Sequence, residues 1–152
     1  MTEVVRLVRD LSVPIGEVSW PPGILLTPFN ASLAPQAHAL LLVAYGEGAG
    51  SLPADFDAWW AAIRHDPEFD AGLCFCATEG DRLAGFALCW TSAFIKDLGV
   101  AGDFRGRGIG EALLRTALRT FKERGAAEVA LKVHSDNMPA RRLYARVGFR
   151  KG

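Results

Sequence analysis

The chain has 152 residues and a mass of 16.4 kDa, the size served by a single hydrophobic core, and 50% of it is hydrophobic against 22% charged. That balance is far from disordered, collagenous or coiled-coil chains. Seventeen Lys and Arg cancel seventeen Asp and Glu, which excludes the global cationic excess that drives non-specific nucleic-acid binding.

The first strongly patterned segment, VVRLVRDL, is open to two readings: Val4, Leu7, Val8 and Leu11 fit helical spacing, while the β-branched content favours a strand, the reading adopted here. Ser12 to Gly23 carries Pro14, Gly16, Pro21, Pro22 and Gly23 and reads as an extended connector; Ile24 to Phe29 follows as a short strand. Pro35 opens a helix whose stripe is Leu33, Ala37, Leu40, Leu41, Ala44 and Tyr45, and Gly46 stops it. After the loop GEGAGSLP, a helix over about 54–64 places Phe56, Trp59, Trp60 and Ile63 on one face, with Asp55 and Asp57 in its first turn. The two tryptophans are most simply core; the alternative makes them line an acceptor pocket with Asp55, Asp57 and Glu47.

Between Leu73 and Trp90 the runs LCFCAT and RLAGFALCW flank Glu79, Gly80 and Asp81, the signature of a hairpin, and a third strand over about 93–100 continues the meander. RGRGIGEALLRTALRTFKERG then holds a helical stripe of Ile109, Ala112, Leu113, Thr116, Ala117, Thr120 and Phe121, capped at Gly125. Glu128 to His134 alternates as a strand, and a last helix runs from near Pro139 to Val147, ended by Gly148. This order predicts an α/β fold with a mixed sheet. Cys74, Cys76 and Cys89 match neither a disulfide framework nor zinc-ligand spacing and read as buried strand thiols. No apolar run reaches the roughly 18 residues of a membrane span, and MTEVVRLVRD lacks the apolar core of a signal peptide, so a cytoplasmic protein of one domain, 1–152, is expected.

Chemistry concentrates at Asp103-Phe104-Arg105-Gly106-Arg107-Gly108-Ile109-Gly110. Alternating glycines at a helix start expose backbone N–H groups at the positive end of the helix dipole, and two arginines add charge, which together favour a phosphate. A Walker A loop needs Lys-Ser/Thr after its second glycine, and the dinucleotide fingerprint needs a third glycine where Glu111 stands, so both fail. A pyrophosphate site of another kind is left.

Arg105-x-x-Gly108-x-Gly110, entered from the strand IKDLGV, resembles the acetyl-CoA pyrophosphate loop of the GNAT superfamily of N-acetyltransferases. Asn137-x-x-Ala140-x-x-Leu143-Tyr144-x-x-x-Gly148-Phe149 resembles that family's second motif, and the resemblance covers roughly 23–149, with an extension at 1–22. It implies a GNAT-like, mostly antiparallel mixed sheet flanked by helices and an acetyl-CoA or coenzyme A cofactor; from the cysteine spacing, no metal is expected. It further implies that Leu98, Gly99 and Val100 border the pantetheine arm, with the Val100 N–H aimed at the thioester oxygen, where such a donor is typically worth about 10²–10³ in rate. The N–H groups from Arg105 through Gly106, Arg107, Gly108 and Ile109 to Gly110 would hold the pyrophosphate, Asn137 would hydrogen-bond the cofactor beside Ala140 and Leu143, and Tyr144 would sit near the sulfur as general acid. A phenol of pKa about 10 can protonate a departing thiolate of pKa about 8.5.

The acceptor amine, with a pKa about 10.4, must lose a proton at a cost of roughly 4–5 kcal/mol before attack at pH 7. Asp97 is the acid that this strand offers as base, with Lys96 where many relatives carry a second one; His134, at the end of the following strand, is the alternative. The expected reaction is acetyl transfer to a small-molecule or peptide amine by direct attack in a ternary complex. No feature demands a covalent intermediate, although the three cysteines leave an opening for one. The competing readings are a non-catalytic acyl-CoA-binding or sensing module and a nucleotide-binding one.

Residues 1–76 hold three basic and nine acidic side chains, net −6, and residues 77–152 fourteen and eight, net +6. That polarity points to an anionic ligand for the second half and a cationic acceptor for the first, against the bland reading of scattered solvated charge. The chain stops at Gly152, four residues past Gly148, where the resemblance implies a further strand or two. The segment Val4 to Leu11 is therefore expected to cover that sheet edge, within one chain or across a homodimer.

Overall fold

Val4–Asp10 is a strand, β1, because each of its residues finds a partner: it lies antiparallel to Glu128–His134, from Val4↔His134 to Asp10↔Glu128. Sequence periodicity was ambiguous there because the deciding partner lies more than a hundred residues away. The computed structural model describes residues 3–45 and 52–152; Gly46, the predicted helix stop, and Glu47 lie outside the described residues. After β1 come β2 (Leu25–Pro28), α1 (Ala34–Tyr45), α2 (Phe56–Arg64), β3 (Cys74–Glu79), β4 (Arg82–Trp90) and β5 (Phe94–Val100). The chain continues through α3 (Ile109–Glu123), β6 (Glu128–His134), α4 (Met138–Val147) and β7 (Arg150–Lys151).

The sheet order is β2-β3-β4-β5-β6-β1-β7. Its neighbours are antiparallel except β5 and β6, which run parallel, so the expected mixed, mostly antiparallel sheet is present. Of the two ways to cover the edge of β6, the chain uses its own β1, which also pairs with β7 through Leu7↔Lys151 and Val8↔Arg150.

Helices pack on both faces. One core gathers Ile109, Leu113, Leu118 and Phe121 of α3 against the sheet, the other Leu41 of α1 and Trp59 of α2 against Phe86. Each leucine or phenylalanine so buried contributes about 1.5–3 kcal/mol. Close approach depends on two glycines: a Cβ at Gly85 would lie 2.8 Å from Ile109 Cγ2, and one at Gly99 would lie 2.8 Å from Leu40 Cδ2. Gly85 therefore admits α3, and Gly99 admits α1.

Three readings change in the folded chain. The buried face of α3 includes Leu114 and Leu118, which the predicted stripe omits, while Thr116 and Thr120 are only half-buried and donate their hydroxyls to the carbonyls of Ala112 and Thr116. The predicted stripe and the buried set each hold seven residues, but the buried set reaches round the helix to two leucines, while the two threonines satisfy their hydroxyls on the helix's own carbonyls. Asp55 is the N-cap of α2 and accepts the Ala58 N–H at 2.9 Å, so it precedes the first turn. The aromatic face of α2 is core: Trp59 is 1% exposed and stacks on His38, and Trp60 packs edge-on against Phe69.

The proline-rich connector is held by guanidinium groups. Arg9, 3% exposed, donates from Nε to Val147 O at 2.8 Å and from its terminal nitrogens to Val13 O and Pro14 O, both at 2.9 Å. Burial, then the nearby Arg115, holds Arg9 below the usual arginine pKa. Arg115 and Arg119 reach from α3 to the carbonyls of Ile15 and Gly16. The three cysteines are buried: Cys74 and Cys76 are pushed up to about 12 by desolvation and Cys89 lies well above the usual thiol value, so all three stay protonated and inert.

Candidate functional site

β5 and β6 pair at only two registers, Phe94↔Ala130 and Ile95↔Leu131, and then part, β5 running on to Val100 and β6 to His134. A bulge accompanies the parting. Leu88 pairs with Asp97 and Cys89 with Ile95, which leaves Lys96 as the extra residue on β5. Farther along, the Ala101 N–H donates to Ala84 O at 2.8 Å on the β4 side. By the alternation of a strand, the backbone groups of Leu98 and Val100 are directed the other way, into the gap. Arg105 Nε reaches the Val100 carbonyl there at 3.4 Å.

Two cavities fill the gap. The first, of about 360 Å³, runs from Leu98, Gly99 and Val100 to the amides of Arg105, Gly106, Gly108, Ile109 and Gly110. The second, of about 400 Å³, lies between the diverging strand ends among Tyr45, Lys96, Asp97, Lys132 and His134, with Val4 of β1 at its edge. Leu98, Asn137, Ala140 and Tyr144 line both, so the two spaces adjoin at Tyr144. Of the residues proposed from sequence to hold a cofactor, Arg107 alone lines neither; its guanidinium lies over the Phe104 ring, 5.2 Å from the centroid.

The first cavity suits a diphosphate. Gly106 and Gly108 sit at φ +78 and +85, and a Cβ at either would meet nothing within 4 Å, so these positions need glycine for backbone direction rather than for space. The Arg105 N–H donates to Gly102 O at 3.3 Å and the Ala112 N–H to Gly108 O at 3.0 Å. Amides from Gly106 to Glu111 lie between them without a backbone acceptor among the described residues. These donors, at the start of α3 and beside Arg105, form an anion cradle open to a ligand.

The second cavity holds the titratable groups. Asp97 is 6% exposed, and both of its oxygens are engaged: Oδ1 accepts a short hydrogen bond from the Tyr45 hydroxyl, and Oδ2 accepts from Lys96 Nζ at 3.1 Å. Burial, then the charge of Asp97, pushes the Tyr45 phenol far above its ordinary value. Tyr144 is pushed up to about 12 by burial first and Asp97 second. The His134 side chain is exposed at the end of β6, with no hydrogen-bond partner among the described residues. Asn137 caps α4, its Oδ1 accepting the Ala140 N–H at 3.3 Å, which leaves its amide NH₂ for a ligand.

Tyr45 and Lys132 were not singled out by sequence. The signal for Tyr45 was a phenol closing an apolar helical stripe, because a buried hydroxyl requires a partner. Lys132 carried none.

A model described as the acetyltransferase (GNAT) family matches residues 35–149. A mycothiol acetyltransferase of Clavibacter sepedonicus is 36% identical over 151 residues, covering 94% of this chain and 48% of that protein. A streptothricin acetyltransferase of Streptomyces lavendulae is 45% identical over 76 residues, 47% of this chain and 40% of that protein. The crystal structure of a GCN5-related N-acetyltransferase from Sphaerobacter thermophilus superposes with a TM-score of 0.82 at 28% identity, over 99% of this chain and 49% of that one. The chain thus spans about half the length of the two Clavibacter mycothiol acetyltransferases it matches.

Proposed function

The chain belongs to the GNAT acetyltransferase family, and on that premise we propose that it transfers an acetyl group from acetyl-CoA to an amine of a small molecule or peptide by direct attack in a ternary complex. The observation that carries this reading is the junction of the two cavities: an anion cradle and a space lined by acid–base groups meet at Tyr144 and Leu98. Bound acetyl-CoA supplies the activated acetyl thioester.

The chain's own residues do the rest. Amides from Gly106 to Glu111, with Arg105, hold the diphosphate, and Asn137 offers its NH₂ from the head of α4. Leu98 and Val100 direct backbone groups into the gap, and the Val100 N–H serves as the donor to the carbonyl oxygen under attack. Tyr144 stays protonated to about pH 12 and supplies a proton to the departing sulfur.

His134 takes the proton from the amine. Its ring is unengaged and faces the second cavity, whereas Asp97 already accepts from Tyr45 and Lys96. Asp97 instead acts as a positioning residue: it fixes Tyr45 at the end of α1 and Lys96 at the bulge. The direct test is coenzyme A release from acetyl-CoA against a panel of amines, with cofactor binding measured in parallel. Amine-dependent thiol release supports the reading; tight cofactor binding with no turnover on any amine overturns it in favour of a binding or sensing module.

A further inference from the structure

We propose that the acyl acceptor carries an anionic oxygen group, a carboxylate or a phosphate, beside its amine, and that Lys132 and Arg6 receive that group at the mouth of the second cavity. The inference rests on the acetyl-transfer reading and names the substrate class for the same site. Among the described residues the second cavity is lined by Lys96, Lys132 and His134 against one carboxylate, Asp97, which is neutralised by Lys96 and bonded by Tyr45. Among these described side chains the remaining charge is positive. The expectation of a cationic acceptor drew on acidic side chains of the first half, and among the described residues none of them lines either cavity.

Lys132 lines the second cavity, and Arg6, which lines neither cavity, stands beside it on the next strand. Arg6 and Lys132 are directly opposed across the β1–β6 ladder, and both are exposed on the face that also carries Val4 and His134. Like charges directly opposite destabilise a sheet. Neither side chain has an ion-pair or hydrogen-bond partner among the described residues, and the Arg6 guanidinium leans away from Lys132, beside Gly152. An anion over Lys132 would draw it back across the ladder. His134 lies two residues from Lys132 on the same face, about 7 Å along the strand. An acceptor whose anion rests on Lys132 and Arg6 therefore brings its amine to the imidazole that removes the proton.

The test compares acceptors in matched pairs at low salt: amino acids against their amides, an ω-amino-acid series against the corresponding simple amines, and phosphoethanolamine against ethanolamine. The anionic member of a pair is expected to have the higher kcat/KM by about tenfold or more, an advantage that shrinks as ionic strength rises. Whichever of the carboxylate and phosphate pairs shows the larger ratio identifies the anion. In Lys132→Ser and Arg6→Ser the ratio is expected to collapse towards one through KM. Both positions are exposed, and a circular-dichroism melt no lower than the parent's checks the fold. A binding measurement independent of turnover accompanies it: titration with succinate or inorganic phosphate, read by amide shifts at residues 4–6 and 132–134.

Neutral or cationic members acetylated as well as their anionic partners would overturn the inference while leaving acetyl transfer intact. So would the absence of any anion-dependent shift at these residues. Anion-dependent shifts without turnover on any amine would overturn the enzymatic reading and leave the anion site standing.

Discussion

The two cavities that meet at Tyr144 are built by different means. The cradle is a local object: Gly106, Gly108 and the free amides of α3 lie within a few residues of one another, and its shape is set by backbone angles. The second cavity is assembled by convergence, with Val4 from β1, Tyr45 from α1, Asp97 from β5 and Lys132 from β6. A backbone object leaves a contiguous signature of glycines. A convergent one leaves single residues that look like ordinary strand and helix positions. The family resemblance accordingly rests on the cradle and on the motif from Asn137 to Phe149 that forms the shared wall, whereas Val4, Tyr45, Lys96 and Lys132 of the second cavity belong to no motif.

The comparison is broken most severely at the shared wall. Tyr144→Phe removes the proposed acid and leaves the ring that packs 5.7 Å from Phe149. The expected outcome is a fall in kcat of about 10²–10⁴ at unchanged coenzyme A affinity, measured by thiol release and by calorimetric titration. The pH profile supplies a second reading. Desolvation raises this phenol to about 12, so its proton is retained as pH rises and Tyr144 contributes no descending limb to kcat below about pH 11. A descending limb near pH 10 that disappears in the Phe variant would show an unperturbed phenol.

Within the second cavity, His134→Gln and Asp97→Asn separate base from positioning residue. His134→Gln is expected to lower kcat by about 10²–10³ at unchanged stability, because the side chain is exposed. Asp97→Asn places an NH₂ where Lys96 Nζ donates, within a buried site. It is expected to cost about 1–3 kcal/mol of stability while kcat falls less than in His134→Gln. The opposite pattern would make Asp97 the base.

How much was legible follows from the same distinction. The helix of α3, the hairpin of β3 and β4 and the cradle were all readable, because a 3.6-residue stripe, a turn at Gly80 and alternating glycines are properties of short windows. β1 was half legible: periodicity could not choose between helix and strand, and the antiparallel partner at Glu128–His134 decided it. The bulge at Lys96 was not legible, because a register shift between Leu88 and Cys89 exists only once β4 and β5 are paired. Nor was the Tyr45–Asp97 bond, whose partners stand 52 positions apart. Buried Arg9 belongs to the same class. Its acceptors at Val147, Val13 and Pro14 are carbonyls, which any residue could have supplied.

The finest cut lies inside the cradle, where the three alternating glycines are not equivalent. Gly108 adopts φ +85, so Gly108→Ala carries the left-handed penalty of about 1–2 kcal/mol. If the loop relaxes instead, the amides at the head of α3 turn away, and coenzyme A affinity is expected to fall about tenfold or more. Gly110 has no such constraint. It lies in the first turn of α3, where a Cβ would stand 3.4 Å from Leu143 Cδ2 and 3.6 Å from Val100 Cγ2, ordinary contact distances. Alanine favours a helix over glycine by up to about 1 kcal/mol, so Gly110→Ala is expected to keep or slightly raise the melting temperature. Coenzyme A affinity should stay within about threefold of the parent, because the cradle depends on amide direction and this substitution changes none. Should Gly110→Ala instead lose the cofactor in a protein that melts normally, the ligand must approach the third glycine more closely than a methyl group allows, and the cradle would be a matter of space as well as angle.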